Sequence, residues 1–246
     1  SQQFVDRLPD EIAAPSRVQA VVIMDLMGGV HWTPIQDTLF AAGAETSPDL
    51  YRRLRETLNV KGETMLSASH ASRFTSHVSR LTVLPLGMHL IEQIPLVGQV
   101  TFSDYDAFRN VGVPFLFLSA GRTPRYHQPS DLPDTLHYER MAATVSWLQR
   151  LLHAVDDDRE PYRIEKNRME LADDIATLRL LATQAAQENT EIPGTSFLSR
   201  WKMKADNEWL RTLDPAKATA DDVRRLQRFS LRMQCLLVDF PACFLL

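Results

Sequence analysis

The chain has 246 residues, of which 44% are hydrophobic and 24% charged, and its formal net charge is −4. Such a chain can bury a sizeable core, and its charge balance provides no basic surface for nucleic acid. No run of about 18 apolar residues is present, so we expect no transmembrane helix, and no signal peptide is visible at the start of the sequence.

Two apolar runs predict central strands of a sheet. Residues 18–29 contain the continuous, largely β-branched segment 21–24, and Asp25 stands where that segment ends. Residues 113–119 form a nearly unbroken apolar run of strand length, which is the pattern of a strand buried on both faces. Together with the helices between and after them, these runs indicate an α/β fold.

Two helices are predicted between these strands from their end signals. Ser47 followed by Pro48 marks the start of a helix over residues 47–59. Ser103 is predicted to cap a shorter helix that Gly112 ends.

The second half of the chain is predicted to be helical. Residues 138–155 form an amphipathic helix. Its predicted buried stripe is Met141, Val145, Leu148 and Leu152. The helices expected after it span residues 164–189, 197–213 and 219–238, and Thr219 is predicted to cap the last of them.

Two polar residues follow the predicted strands and are candidates for a site. A carboxylate at Asp25 is costly to bury unless it is paired, hydrogen-bonded or bound to a metal, although it could simply cap the turn at residues 28–29. His127 lies in the loop after Gly121, at the edge of an open α/β sheet where sites are usually built. A solvated loop imidazole is the alternative, and the pattern alone leaves both residues open.

A family resemblance favours the functional interpretation. The residues that carry it are Ser103, Asp104, Phe108, Gly112, Val113 and Pro114, and then Tyr126, His127, Pro129 and Asp131. In this order and spacing they resemble the zinc-dependent exopeptidases of the aminopeptidase and glutaminyl cyclase superfamily. Asp25, followed by residues 26–28, resembles a strand of that superfamily whose Asp is a metal ligand in the dizinc members.

The resemblance implies a fold and a division into domains. Residues 1–156 would form part of a zinc exopeptidase-like, phosphorylase/hydrolase-like α/β domain with a mixed, mostly parallel central sheet flanked by helices. Residues 157–246 would form an all-α C-terminal extension.

The resemblance also implies a chemistry, in which two zinc ions activate a water molecule for attack on a peptide carbonyl. Asp25 would bind one zinc ion and His127 the other. Asp104 would act through hydrogen bonds beside the ligands, and Tyr126 would lie near the oxyanion. One departure is Tyr105, which stands where the family more often has a histidine.

The family's other ligands and its general base are not found in this sequence. Its first His-x-Asp block, its bridging Asp and its Glu-Glu pair all precede the strand that carries the Asp25 equivalent. One Asp and one His on different metals fall short of the three or four protein ligands that zinc usually has. We therefore expect this chain to correspond to the second half of the catalytic domain and to be inactive alone.

Two other functions remain open, a single-zinc glutaminyl cyclase and a non-enzymatic, transferrin-receptor-like module that dimerises through C-terminal helices. Retention of both Asp25 and His127 argues against loss of activity. The expected partners are a peptide substrate and a second copy bound through the C-terminal helices, with the apolar residues 236–246 docking on the core or on that copy. Family analogy favours an extracellular or periplasmic location.

Overall fold

The computed structural model describes residues 2–9, 12, 14–30, 32–58, 81–94, 97–186 and 197–236, without the side chains of residues 197–200, 203, 235 and 236. The predicted docking of residues 236–246 falls outside the side chains that the structure describes. The helices are α1 (Gln2–Asp6), α2 (Pro48–Leu58), α3 (Met88–Glu92), α4 (Tyr105–Asn110), α5 (Tyr138–Asp156), α6 (Leu171–Ala186), α7 (Phe197–Thr212) and α8 (Ala220–Leu236). The strands are β1 (Val21–Asp25), β2 (Thr38–Ala42), β3 (Thr82–Pro85), β4 (Gln93–Ile94), β5 (Gly98–Gln99) and β6 (Phe115–Ser119).

The main sheet has the strand order β1-β6-β2-β3 in the described part of the chain. β1 runs parallel to β6, β2 runs antiparallel to β6, and β3 runs parallel to β2. This confirms the predicted mixed, mostly parallel sheet. β6 is central as predicted, and Phe115, Leu116 and Leu118 are fully buried. β1 instead lies at the edge of the described sheet, where Met24 is 56% exposed.

The turn after β2 depends on a glycine. Gly43 has φ +92°, and a β-carbon there would lie 2.2 Å from a ring carbon of Phe115. Only glycine satisfies both the positive φ and the close approach, so this residue lets the chain turn from β2 toward α2 over the central strand.

One face of the sheet is covered by α2 and α5. Leu50 and Leu54 of α2 pack with Trp147 and Leu151 of α5 in one buried cluster. The buried stripe predicted for α5 is wrong at two of its four positions, whereas Leu148 packs against this cluster. Val145 and Leu152 are 66% and 49% exposed, and the buried residues of the helix are Arg140, Thr144, Trp147 and Leu151. The helix is turned by about one residue position, which directs Arg140 inward.

The C-terminal extension is helical as predicted, but its first helix starts later than expected. α6 begins at Leu171 because Asn167 adopts φ +62°, which interrupts a helix. The Glu165 N–H donates to the Thr46 carbonyl at 2.7 Å, and Arg168 Nη1 donates to the Glu45 carbonyl at 2.6 Å. These bonds hold the segment before α6 against the turn that precedes α2.

α8 begins at its predicted cap. The Thr219 N–H donates to Asp222 Oδ2 at 2.9 Å, and the Asp222 N–H donates to Thr219 Oγ1 at 3.3 Å. This reciprocal arrangement satisfies donors that the first turn of a helix leaves without partners.

The extension shares a hydrophobic core with the sheet region. Leu86 and Leu90 pack with Ile175 of α6, Leu210 of α7 and Phe229 of α8. The division into residues 1–156 and 157–246 stays a prediction. Within the described residues, no helix is both long enough and apolar enough to cross a membrane.

Candidate active site

Asp25 lies at the edge of the sheet where β1 and β6 both end. It is the last residue of β1 and is in register with Ser119, the last residue of β6. Leu26 then takes φ +56°, and its carbonyl accepts the Ala120 N–H at 3.3 Å. The two loops that leave these strands are therefore joined at their first residues, at the sheet edge that usually carries a site.

His127 is exposed on the loop that follows β6. It adopts φ +58°, and its ring stacks on Tyr126 with a centroid distance of 3.8 Å. The guanidinium carbon of Arg122 lies 4.7 Å from the Tyr126 ring centroid, within the range of a cation–π contact. The imidazole thus forms one end of a stack of three side chains.

Asp104 lies at the start of α4, in the N-cap position that was predicted for Ser103. Its neighbour Tyr105 is fully buried and stacks on Phe115 of β6 with a centroid distance of 5.1 Å. The Tyr105 hydroxyl accepts the Phe102 N–H at 3.2 Å, and burial raises the pKa of this phenol. Tyr105, which replaces the family's more frequent histidine, therefore packs in the core beneath β6.

Arg140 was missed by the sequence reasoning. It is 1% exposed, and its Nη atoms donate to the carbonyls of Gln36 at 2.6 Å, Met27 at 3.0 Å and Gly29 at 2.7 Å. Burial lowers the pKa of its guanidinium, and the nearby Asp37 carboxylate opposes this shift. Arg140 fixes the loop that follows Asp25 to the segment that leads into β2.

His137 adds a second link to the same loop. Its N–H donates to the Gly28 carbonyl at 2.8 Å, and its Nδ1 accepts the Arg140 N–H at 3.2 Å. The other ring nitrogen, Nε2, lies 3.4 Å from Asp37 Oδ1. The start of α5 is thereby held against the residues that follow β1.

A small cavity of about 10 Å³ lies between these loops. Its lining residues come from the loop after β1, the segment before β2, the loop after β6 and α5. They are Gly29, Val30, Trp32, Ile35, Gln36, Ala120, Gly121, Arg122 and Arg140. The only sequence signal for Arg140 was its place on the face of α5 that also carries Thr144, Trp147 and Leu151.

The described residues do not by themselves fit a zinc site. Within them, no group of three or more His, Cys, Asp or Glu side chains is placed to hold a metal ion. Asp25 and His127 would supply two of the three or four protein ligands that zinc usually takes. No catalytic step through a metal follows from this part of the chain alone.

Comparison with known proteins gives one match. The model of peptidase family M28 matches residues 1–152. The comparisons with curated proteins and with solved structures found no match. The matched residues include β1 with Asp25, β6 and the loop with His127. The chain therefore belongs to peptidase family M28, a family of zinc-dependent, aminopeptidase- and glutaminyl cyclase-like enzymes.

Proposed function

We propose that this chain supplies part of the active site of a dizinc aminopeptidase, which removes N-terminal residues from peptides. Membership of the family supports a metal-dependent peptidase. The observation that carries the proposal is the register of Asp25 with Ser119. Because β1 and β6 are parallel neighbours, the loops with Asp25 and His127 leave the sheet from the same edge.

Each candidate residue has a role in this proposal. The Asp25 carboxylate and the His127 imidazole would each hold one zinc ion, together with ligands from other residues. When bound, the two ions supply a water molecule activated for attack on the peptide carbonyl. Tyr126 supports the His127 ring by stacking and offers its hydroxyl to the carbonyl oxygen of the substrate. Asp104 orients neighbouring groups through hydrogen bonds.

This 246-residue chain is proposed to be inactive by itself. Two donors on different zinc ions leave each ion short of the usual number of protein ligands. The remaining ligands and the general base then come from residues other than the described ones, on the same polypeptide or on a second chain.

Metal analysis after mild dialysis tests the ligand assignment. The 246-residue chain should retain almost no zinc, whereas the polypeptide as its gene encodes it should retain zinc and lose it in Asp25→Asn and His127→Gln variants. Gln128→Ala changes an exposed neighbour in the same loop and serves as the control. Two zinc equivalents on the 246-residue chain would show that the assignment to separate, incomplete metal positions is wrong.

Substrate analysis with the gene-encoded polypeptide tests the reaction. An aminoacyl chromogenic amide should be hydrolysed, and the same compound with an acetylated amino group should not. Conversion of N-terminal glutamine to a ring without hydrolysis would instead identify a glutaminyl cyclase. A polypeptide that binds no zinc and catalyses neither reaction would favour the non-enzymatic module.

A further inference from the structure

We propose that the side of the molecule formed by β1 and the outer face of α5 is a docking surface for the segment that supplies the remaining ligands of the proposed active site. That segment would pair as a strand with the free edge of β1 and cover the apolar side chains beside it. This inference rests on the proposed function and names the partner that its site requires. The docking surface, called the open flank below, consists of Met24, Val145, Leu148 and Leu152.

β1 has the sequence of an interior strand and the surroundings of an edge strand. Residues 21–24 are apolar without interruption, which is typical of strands that are covered on both sides. β6 is buried at four of its five positions, whereas β1 has no fully buried residue. Among the described residues, no strand pairs with the side of β1 that faces away from β6. The backbone N–H and C=O groups on that side are therefore placed to accept a further strand.

Met24 shows which face of β1 lies uncovered. Alternate side chains of a strand share a face, so Met24 lies on the face of Ala20 and Val22, which pack against the cluster that contains Leu151 of α5. Leu118, the partner of Met24 in β6, is fully buried in that cluster, whereas Met24 is 56% exposed. The cover that α5 gives to this face therefore ends before it reaches the free edge of β1.

The outer face of α5 continues the exposed surface. Val145 is 66% exposed and Leu152 is 49% exposed, and Leu148 lies between them on the same stripe, partly buried. At the start of the helix, Met141 lies against the loop that follows β1, since a β-carbon at Gly28 would lie 3.2 Å from Met141 Sδ. The first residue of this apolar stripe is thus anchored next to the end of β1.

A surface groove places the other end of α5 beside the start of β1. The groove has a volume of about 560 Å³, and its lining includes Gln19, two residues before β1, together with Leu152 and Val155 of α5. α5 therefore runs alongside β1 from end to end, and its exposed stripe and the strand edge form one surface. A groove of this volume is comparable with pockets that enclose a small molecule, so it can receive side chains of a docked segment.

The incomplete site identifies the occupant of the open flank. Asp25 is the last residue of β1, so a strand paired with the free edge of β1 would have one end next to this carboxylate. Neighbouring strands lie about 4.8 Å apart, which brings polar side chains at that end within reach of the group that Asp25 binds. A segment docked at β3, the opposite edge of the described sheet, would be separated from Asp25 by the width of the sheet.

Oxidation of Met24 measures whether the open flank is covered. Methionine forms its sulfoxide at a rate that follows its exposure. In the 246-residue chain, Met24 should react with hydrogen peroxide about as fast as Met169, which is 42% exposed. In the gene-encoded polypeptide, Met24 should react about tenfold more slowly, and the rate at Met169 should not change. Both proteins are first treated with a chelator, and peptide mass spectrometry measures each methionine.

Charged substitutions on α5 test the contact itself. Val145→Asp and Leu152→Asp should leave the urea midpoint of the 246-residue chain unchanged, because both side chains are exposed there. In the gene-encoded polypeptide, each should bring Met24 oxidation to within about twofold of its rate in the 246-residue chain, because a charge is costly to bury. Leu180→Asp, at an exposed position of α6, is the matched control and should leave Met24 protected.

Three results would overturn the proposal. The first is an equal rate of Met24 oxidation in both proteins, which would mean that nothing docks on the flank. The second is a Met24 that is already as protected in the 246-residue chain as the buried Met88, which would mean that this chain covers its own flank. The third is protection that rises with the concentration of the 246-residue chain, together with a dimer in sedimentation, which would identify a second copy as the occupant.

The oxidation measurement is independent of catalysis, because the proteins are free of metal. Protection of Met24 in a polypeptide that neither retains zinc nor hydrolyses peptides would support the docking surface and contradict the aminopeptidase proposal. An active peptidase with an accessible Met24 would do the reverse.

Discussion

The two ends of the sheet bury charges of opposite sign against backbone groups. At the end where β1 and β6 finish, the guanidinium of Arg140 donates to three carbonyls. At the other end, where β2 and β3 finish, two carboxylates accept backbone N–H groups. Glu45 Oε1 accepts the Met88 N–H at 2.7 Å, and Asp174 Oδ1 accepts the Gly87 N–H at 2.6 Å. Each charge holds a turn beside the sheet.

The two ends differ in how they respond to pH. A guanidinium stays charged throughout the range in which proteins fold. Burial raises the pKa of Glu45 from 4.5 to about 7, the Met88 N–H opposes the shift, and the nearby Asp174 adds to it. Asp174 also contacts His89 Nε2 at 2.9 Å. The carboxylate end therefore carries a buried carboxylic acid whose pKa lies near neutral pH, where α6 meets the sheet region.

The largest expected effect is the loss of the buried cation. Arg140→Met should lower the free energy of unfolding by about 3–5 kcal/mol, because three buried carbonyls lose their donor. Urea unfolding measures this change. Arg140→Lys should recover part of it, since an ammonium group cannot reach all three carbonyls in the same geometry. Arg150→Met on the exposed face of α5 is the matched control.

The burial of Arg140 depends on the rotation of α5, which two adjacent leucines test. Leu151 is 1% exposed and Leu152 is 49% exposed. Leu151→Ala should cost about 2–4 kcal/mol of unfolding free energy and Leu152→Ala less than about 0.5 kcal/mol. Thermal or urea unfolding measures the stability of the two variants. Similar losses, or a larger loss at Leu152, would place α5 in the rotation that its sequence predicts.

Glu45→Gln should remove a pH dependence of the free energy of unfolding. The pKa of Glu45 is higher in the folded protein than in the unfolded chain. The stability it contributes is therefore complete below about pH 4.5 and is lost as the pH rises through about 7. The glutamine keeps an acceptor for the Met88 N–H. The variant should match the parent near pH 4.5 and exceed it by up to about 3 kcal/mol at pH 8. Denaturant unfolding between pH 4.5 and 8 measures the difference.

The control for this titration is Glu56→Gln, on a side chain that is 48% exposed. Parallel pH profiles for the Glu45→Gln variant and the parent would show that another group carries the dependence.

Asp174→Asn should have the smallest effect, about 1 kcal/mol of unfolding free energy. The amide oxygen still accepts the Gly87 N–H, and the lost charge no longer opposes ionisation of Glu45. The upper limit of the pH range in which stability is lost should therefore move below about 7. Asp221→Asn, whose side chain is 87% exposed, should move neither quantity. An unchanged upper limit would mean that the Asp174 charge does not act on Glu45.

Local sequence patterns predicted the elements better than their orientation. The apolar run of residues 113–119 and the start signals of α2 and α8 are local and were confirmed. Asn167 broke the predicted first helix of the extension because the partners of Glu165 and Arg168 lie more than a hundred residues away. Hydrophobic periodicity also placed Val145 and Leu152 on the buried face of α5, where the structure has them exposed. The reason is that a buried arginine is counted as polar in any hydrophobicity pattern.

The candidate site shows the same limit. Asp25 and His127 were found through family resemblance, and the structure does not test their roles as ligands. Arg140 could not be found in this way. Its importance comes from three carbonyls that are distant in sequence, which composition and spacing do not reveal.

The core that joins Leu86 and Leu90 to α6, α7 and α8 has a consequence for synthesis on the ribosome. β1 must wait for β6 before it pairs, and Leu86 and Leu90 must then wait for Leu210 and Phe229 to leave the exit tunnel. The nascent chain therefore presents apolar side chains to solvent or to chaperones until α8 is complete. A stop codon just after α5 would leave those side chains uncovered and yield an aggregating fragment, not a minimal domain.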